Sequence, residues 1–187
     1  ENRRVLTGKL DALGINHTAL IPIERPTTTK VRVMGGHQQM LRLDFENIDP
    51  LSRTVEKQLM ADIRQELLAG VDAVIMSDYA KGVCSTALCK FAIQACKEAH
   101  VPLVVDPKGD QWQKYRGAYL VTPNVKELGE ACHQSVRNED RSVVAQGELL
   151  RQRFGFGILM VTRSEQGLSL LTGGEPVHIP TYAREVF

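Results

Sequence analysis

The sequence predicts an α/β domain: a mainly parallel, doubly wound sheet carrying a small β lid. Three observations lead there. From residue 71 onward, short β-branched runs alternate with segments of helical period, which is the pattern of βαβ units. Before residue 50 the rhythm differs, with two alternating runs joined by Gly35-Gly36-His37, a hairpin signature. The chain has 187 residues, 43% of them apolar, a length suited to one domain that buries roughly two-thirds of its unfolded surface.

The elements follow in order. Residues 3–13 place Val5, Leu6, Leu10 and Leu13 on one helical face, with Gly14 as a stop. Thr18–Glu24 reads as a strand, and residues 27–46 as the hairpin, one face apolar and the other polar. Val55, Leu59, Ile63, Leu67 and Leu68 mark a helix over Ser52–Leu68 that ends at Gly70. Val71–Met76 is a continuous apolar run, expected to be a strand covered on both faces. A helix over Ser85–His100 is begun by Ser85-Thr86 and puts Cys89 and Cys96 on one face. Val101–Val105 is the next strand, followed by a short helix at Asp110–Arg116 and a strand at Tyr119–Val121. Helices at Val125–Cys132 and Arg141–Phe154 precede a strand at Gly157–Val161. Leu168–Leu171 and Val177–Ile179 pair across a Gly-Gly turn. Right-handed crossovers then bring the parallel strands into one sheet.

Charge and motifs exclude several functions. Net charge is +1 and aromatic content 5%, so nothing in the overall balance favours nucleic acid or a membrane surface. No apolar run approaches the roughly 18 to 20 residues that span a bilayer. The four cysteines, Cys84, Cys89, Cys96 and Cys132, have no Cys-x-x-Cys spacing; reduced thiols in the cytoplasm are expected instead of zinc or a disulfide framework. The chain contains no Gly-x4-Gly-Lys-Ser/Thr loop, no Gly-x-Gly-x-x-Gly fingerprint and no Gly-x-Ser-x-Gly elbow.

Ligands of open α/β sheets bind at the carboxyl ends of the strands, so the residues following each strand carry the functional expectation. They are Ser77-Asp78-Tyr79-Ala80-Lys81-Gly82, Asp106-Pro107-Lys108-Gly109, Thr122-Pro123-Asn124-Val125-Lys126-Glu127 and Thr162-Arg163-Ser164-Glu165-Gln166-Gly167. All are polar, charged or glycine-bearing. Asn124 and Glu127 open a helix whose free amides and dipole favour an anion, and a carboxylate beside phosphates suggests an intervening Mg²⁺. The same pair also reads as a plain capping box. Asp106 and Lys108 suit a hydroxyl and a phosphate, or simply a Pro-Gly turn. Asp78, Tyr79 and Lys81 suit a ligand or a solvated loop. Thr162 and Gly167 suit a nucleotide's edge, or a tight connection between strands. Lys30, Arg32 and Arg42 could reach anions from the hairpin, or line its charged outer face.

These segments, together with Thr29-Lys30-Val31-Arg32-Val33 and Gln38–Glu46, resemble the ribokinase-like (PfkB) carbohydrate kinase family, across essentially the whole chain. The Asn-x-x-Glu and Asp-Pro-Lys-Gly pieces are general to that family. Gln-Gln-x-Leu-Arg-Leu-Asp-Phe-Glu and Thr-Arg-Ser-Glu-Gln-Gly are similar to its heptose 7-phosphate kinases, which are joined to an adenylyltransferase. The resemblance implies ATP and Mg²⁺ as cofactors and transfer of phosphate to the sugar's anomeric hydroxyl. It implies that Asn124, Val125, Lys126 and Glu127 hold the nucleotide phosphates, Glu127 the magnesium, and Thr162 and Gly167 the nucleotide. Asp78, Lys81, Asp106, Lys108 and Arg42 would bind the phosphosugar. A lid over residues 18–46 would cover the sugar and clasp a homodimer.

The family's Gly-Gly-Ala-x-Asn and Gly-Ala-Gly-Asp motifs do not occur in these residues. The expectation is therefore the central part of one kinase domain over residues 1–187, without the catalytic aspartate and with negligible turnover by itself.

Overall fold

In the computed structural model, which describes residues 2–17 and 25–181, the strands divide between a two-stranded hairpin and a six-stranded sheet. The strand expected at Thr18–Glu24 lies outside the described residues. Helix α1 (Asn2–Ala12) precedes the hairpin of β1 (Thr29–Gly35) and β2 (Gln38–Phe45). The hairpin register pairs Val31 with Leu43 and Val33 with Leu41 on one face, and Lys30 with Asp44 and Arg32 with Arg42 on the other. That is the alternation a period-2 pattern dictates. A bulge between Val33 and Met34 sits just before the turn.

The main sheet runs β3 (Val74–Ser77), β4 (Leu103–Asp106), β5 (Leu120–Val121), β6 (Ile158–Thr162), β7 (Leu168–Leu171) and β8 (Val177–Ile179) in spatial order. The first four are parallel; β7 and β8 close the edge as an antiparallel meander. Helix α2 (Arg53–Ala69) leads into β3, α3 (Thr86–Glu98) joins β3 to β4, and α4 (Val125–Cys132) and α5 (Asp140–Phe154) join β5 to β6. Their starts follow local chemistry. Ser52 Oγ accepts the Val55 amide at 3.3 Å, and Ser85 Oγ accepts the Leu88 amide at 3.0 Å, each satisfying one orphan donor of a first turn. The segment expected as a helix at Asp110–Arg116 is a single 3-10 turn over Trp112–Tyr115. Four residues are too few for an α-helical ladder, and Trp112 and Tyr115 are both fully buried beneath it.

Register defines the two faces of the sheet. Met76, Val105, Val121, Leu159 and Leu171 form one row across five strands, and all are buried. Around that row pack Cys89, Ile93 and Cys96 of α3, Val143 and Leu150 of α5, and an aromatic trio. Trp112, Phe154 and Phe156 have ring centroids 5.6–6.4 Å apart, within the range where aromatic pairs add to burial. The opposite row is Ile75, Val104, Leu120 and Ile158. Here Ile75 is 75% exposed, so β3 is covered on one face, not the two its apolar run suggested. The reason is order: strands that are sequential neighbours, joined by right-handed crossovers, carry their helices on the same side.

One glycine joins the hairpin's base to the sheet. Gly82 has φ +79°, and a Cβ there would lie 1.9 Å from the Asp49 carbonyl oxygen. The Gly82 carbonyl accepts the Leu51 amide at 3.3 Å. Gly14 also has positive φ, but a Cβ there would meet nothing within 4 Å. Gly82→Ala is therefore expected to lower unfolding free energy in urea by about 2 kcal/mol or more, and Gly14→Ala by about 1 kcal/mol. Equal losses in the two variants would show that the close approach to Asp49 contributes nothing.

Candidate active site

Backbone bonds align the strand tips on one rim. The Asp78 amide donates to the Asp106 carbonyl at 3.0 Å, Thr122 to Val105 at 2.9 Å, and Thr162 to Pro123 at 2.8 Å. Asn124 and Thr162 are bridged in parallel. The loops after β3, β4, β5 and β6 thus lie side by side at the carboxyl edge, as the parallel order requires.

Asp78 anchors the first tip. It is 4% exposed, and Oδ2 accepts Lys114 Nζ at 2.5 Å and Tyr115 Oη at 2.6 Å. Oδ1 accepts the Ala80 amide at 2.7 Å. Burial pushes this carboxyl's pKa up, but Lys114, Tyr115 and the Ala80 amide together leave it below the ordinary value. Tyr115 is shifted the other way, upward, by burial and by donating to Asp78. Its oxygen also accepts the Lys108 amide at 3.3 Å, which ties the second tip to the first. Asp106 remains exposed at the end of β4.

The third tip satisfies the capping-box reading. Asn124 Oδ1 accepts the Glu127 amide at 2.9 Å, and Glu127 Oε2 accepts the Asn124 amide at 3.1 Å. Yet the box does not exhaust Glu127, because Lys108 Nζ donates to its Oε1 at 2.8 Å. Glu127 is buried while Lys108 stays half-exposed. The carboxylate, through its hydrogen bond and charge, raises the Lys108 pKa. Val125 packs partly into the core, and Lys126 points outward toward Glu130 at 3.8 Å.

This donor set bears on magnesium. Both Glu127 oxygens are already bonded, and no group of three or more His, Cys, Asp or Glu side chains gathers for a metal among the described residues. Mg²⁺ keeps much of its water shell and leans on substrate phosphates. The site therefore fits an ion held through water near Glu127, not one coordinated directly.

The fourth tip separates the two residues expected along a nucleotide. Thr162 is exposed on the rim beside Asn124. Gly167, at φ +78°, has its open side filled by the chain itself, since a Cβ would lie 2.0 Å from the Ile179 carbonyl oxygen. Glycine here serves the tight strand connection. Arg163 between them is 3% exposed and donates to Asn138 Oδ1 at 2.9 Å, Asp140 Oδ1 at 2.5 Å and Ser169 Oγ at 3.0 Å. That network fixes the loop behind Thr162, and the Arg163 hydrogen bond lowers the Asp140 pKa.

The hairpin meets the rim through its polar face. Thr28, Lys30 and Glu46 join Ser77, Asp78, Tyr79, Lys81, Val83 and Cys84 around a cleft of about 390 Å³. Lys81 Nζ pairs with Glu46 Oε1 across it. Arg25 Nη2 donates to the Asp49 carbonyl at 2.5 Å, bracing the hairpin's base. Arg42 does not line this cleft. It sits farther up the hairpin and pairs with Asp44 on its own strand at 3.1 Å. Of the hairpin cations singled out in the sequence, Lys30, Arg32 and Arg42, it is Lys30 that lines the cleft.

Lys114 and Tyr115 are residues of this rim that sequence reading passed over, and Glu46 and Arg163 stood in the quoted motifs without a role. Glu46 and Lys81 are separated by 35 positions, and Lys114 and Asp78 by 36, so no local spacing signals either pair.

Because its pKa is depressed in the fold, Asp78 contributes stability that is complete above its unfolded value and disappears as pH falls through the folded one. Asp78→Asn should cost about 2 kcal/mol or more near neutral pH, leaving the partly buried Lys114 without its charged partner. The gap between wild type and variant should close as pH falls below the ordinary aspartate value of 3.8. Urea titrations at a series of pH values read this, and a gap that persists at the acid end would remove Asp78 from the account.

The family model described as pfkB family carbohydrate kinase matches residues 2–187. The chain is 43% identical over 188 residues to the Bifunctional protein HldE of Vibrio cholerae serotype O1, covering all of this chain and 38% of that protein. It is 42% identical over 163 residues to the Methylobacillus flagellatus protein of the same name, covering 87% of this chain and 33% of that one. The chain thus spans little more than a third of the length of these curated relatives. Among solved structures, Escherichia coli phosphofructokinase-2 in complex with potassium superposes with a TM-score of 0.73 at 14% identity, over 97% of this chain and 59% of the other. Giardia lamblia ribokinase does so with a TM-score of 0.73 at 15% identity, over 98% and 56%. The fold is therefore the ribokinase-like one, and the chain belongs to the pfkB family of carbohydrate kinases.

Proposed function

We propose that these residues form the substrate-binding rim of an ATP-dependent sugar kinase that phosphorylates the anomeric hydroxyl of a heptose 7-phosphate. The observation that carries this reading is the Asn124–Glu127–Lys108 arrangement, which sets a helix N-terminus, a carboxylate and an ammonium on one rim, opposite a cleft lined by Lys30, Lys81 and Asp78. The similarity of all of this chain to about a third of the proteins named HldE supports the choice of sugar class.

In this reading the α4 amides beyond Asn124 receive the nucleotide's terminal phosphates, with Val125 and Lys126 in that first turn. Thr162 offers a hydroxyl beside them. Glu127 would hold a magnesium ion through water, and the ion would supply charge neutralisation to the triphosphate. Lys108 balances Glu127 before nucleotide arrives and turns its ammonium toward phosphate afterward. The exposed Asp106 carboxylate holds a sugar hydroxyl. Lys30 and Lys81 meet the sugar phosphate, and Asp78 positions the cleft through Lys114. The proton acceptor belongs to the family's Gly-Ala-Gly-Asp motif, which these residues do not contain, so the chain alone binds ligands without appreciable turnover. Residues 1–187 make up the central part of the kinase domain, working in the cytoplasm where ATP is available.

Calorimetry with Mg·ATP tests the nucleotide assignment. Glu127→Ala should weaken binding about tenfold or more while leaving heptose 7-phosphate affinity within about twofold, and Lys81→Ala should do the reverse. If both variants retained wild-type affinities for both ligands, the assignment would be wrong. Substrate class is read by joining these residues to the Gly-Ala-Gly-Asp segment and comparing transfer to heptose 7-phosphate, ribose and fructose 6-phosphate. Preference for either of the latter would overturn the heptose reading.

The hairpin supports a homodimer in the same proposal. Val31, Val33, Leu41, Leu43 and Phe45 are each 41–57% exposed on one face, an apolar row of the kind that marks an interaction surface. Light scattering should give a dimer for the chain and a monomer for Leu41→Glu. A monomeric wild type would refute the clasp.

A further inference from the structure

Among the described residues, the cleft between the hairpin and the β3 loop carries a single aromatic side chain, Tyr79. It directly follows the buried Asp78, yet is itself 67% exposed. A lone exposed aromatic is ordinary on a solvated loop. The backbone around Tyr79 is not that of a solvated loop. The Ala80 amide is held by Asp78 Oδ1 at 2.7 Å, and Ala80 takes φ +54°, a left-handed conformation that a residue with a Cβ keeps only where its surroundings compel it. The Lys81 carbonyl accepts Arg25 Nη1 at 3.2 Å, and Gly82 is pressed against the Asp49 carbonyl. Asp78, Ala80, Lys81 and Gly82 are thus each tied to a neighbour, while the ring and hydroxyl of Tyr79 have no partner among the described residues. A fixed backbone leaves the ring only its own side-chain torsions, so little entropy is lost when a ligand covers it.

The rest of the lining shows what such a ring would meet. Lys30, Lys81 and Glu46 offer charge, Thr28 and Ser77 offer hydroxyls, and Val83, 42% exposed, adds a second apolar surface beside Tyr79. A sugar phosphate has matching parts: a phosphate, a rim of hydroxyls, and ring faces made of C–H bonds. Charged and polar groups suit the first two. The C–H face needs an apolar partner, and the negative face of an aromatic ring attracts its weakly positive hydrogens. We propose that Tyr79, with Val83 beside it, is the platform on which the carbon-bound hydrogens of the sugar ring stack, and that it sets the preference of the cleft for a ring sugar phosphate over an open-chain one. A nucleobase fits this position less well, because the Asn124 and Thr162 tips belong to β5 and β6, and β4 separates them from the β3 loop. The inference rests on the sugar-kinase reading for the class of ligand and on the 78–82 loop for the residue.

The test uses the 187-residue chain in calorimetry with four probes: heptose 7-phosphate, mannose 6-phosphate as a pyranose phosphate without the seventh carbon, glucitol 6-phosphate as an open-chain polyol phosphate, and Mg·ATP. Tyr79→Ala should weaken both ring sugar phosphates about tenfold, with Tyr79→Phe within about twofold of wild type and Mg·ATP affinity unchanged in either variant. Wild type should prefer mannose 6-phosphate to glucitol 6-phosphate about tenfold, and Tyr79→Ala should bind the two within about twofold. Proton NMR gives a readout that a merely structural role would not move. With wild type and Tyr79→Phe, the sugar ring protons should shift upfield and receive magnetisation from aromatic protons; with Tyr79→Ala both effects should vanish. The platform is overturned if Tyr79→Ala binds the ring sugar phosphates as wild type does, if it weakens Mg·ATP as much, or if Tyr79→Phe behaves like Tyr79→Ala. The two readings fail separately. Tyr79-dependent binding of mannose 6-phosphate without binding of heptose 7-phosphate sinks the heptose reading and upholds the platform, whereas equal binding of heptose 7-phosphate by wild type and Tyr79→Ala sinks the platform alone. Binding of neither ring sugar phosphate overturns both.

Discussion

The rim depends on a buried carboxylate with three donors. Asp78 is taken out of water at the end of β3, which costs several kcal/mol for a bare charge, and the cost is offset by Lys114, Tyr115 and the Ala80 amide. Tyr115 then passes the constraint on, since the oxygen that donates to Asp78 also accepts from Lys108. Lys108 in turn reaches Glu127, and Glu127 closes on Asn124. A chain of polar contacts therefore runs along the carboxyl edge, perpendicular to the strands. Its members come from three separate connections between strands, and Lys114, Tyr115 and Lys108 carry the contacts from one connection to the next.

This arrangement explains why the apolar core can be ordinary while the edge is not. The buried row from Met76 to Leu171 stacks the parallel strands in register, and register decides which residue of each loop arrives at the rim. A slip of one residue in β4 would turn Asp106 and Lys108 to other faces. Trp112 and Tyr115, fully buried, carry the link from core to site, because the same 3-10 turn that fills the core also presents Lys114 to Asp78.

The polar and apolar faces of the hairpin have separate uses. Lys30 and Glu46 belong to the cleft, while the Val31–Leu43 and Val33–Leu41 pairs look away from it. The Lys81–Glu46 pair and the Gly82–Asp49 approach hold the hairpin's base against the β3 loop. Stability of the lid and composition of the cleft are thus coupled through the same few residues.

Periodicity alone determined the element order, the hairpin, the parallel sheet and the four polar tips, because each is written in neighbours a few residues apart. The capping box at Asn124 was legible for the same reason, as a three-residue spacing. Tertiary structure alone decided which of the candidates meet. Nothing local says that Lys108 belongs to Glu127, that Lys114 belongs to Asp78, or that Lys30 and not Arg42 reaches the cleft. Gly167 fits the same division: its need for glycine is visible in the sequence, but only the packed Ile179–Thr181 backbone shows what it makes room for. Partners separated by tens of residues are chosen by strand register and crossover hand, and those emerge only when the whole sheet is assembled.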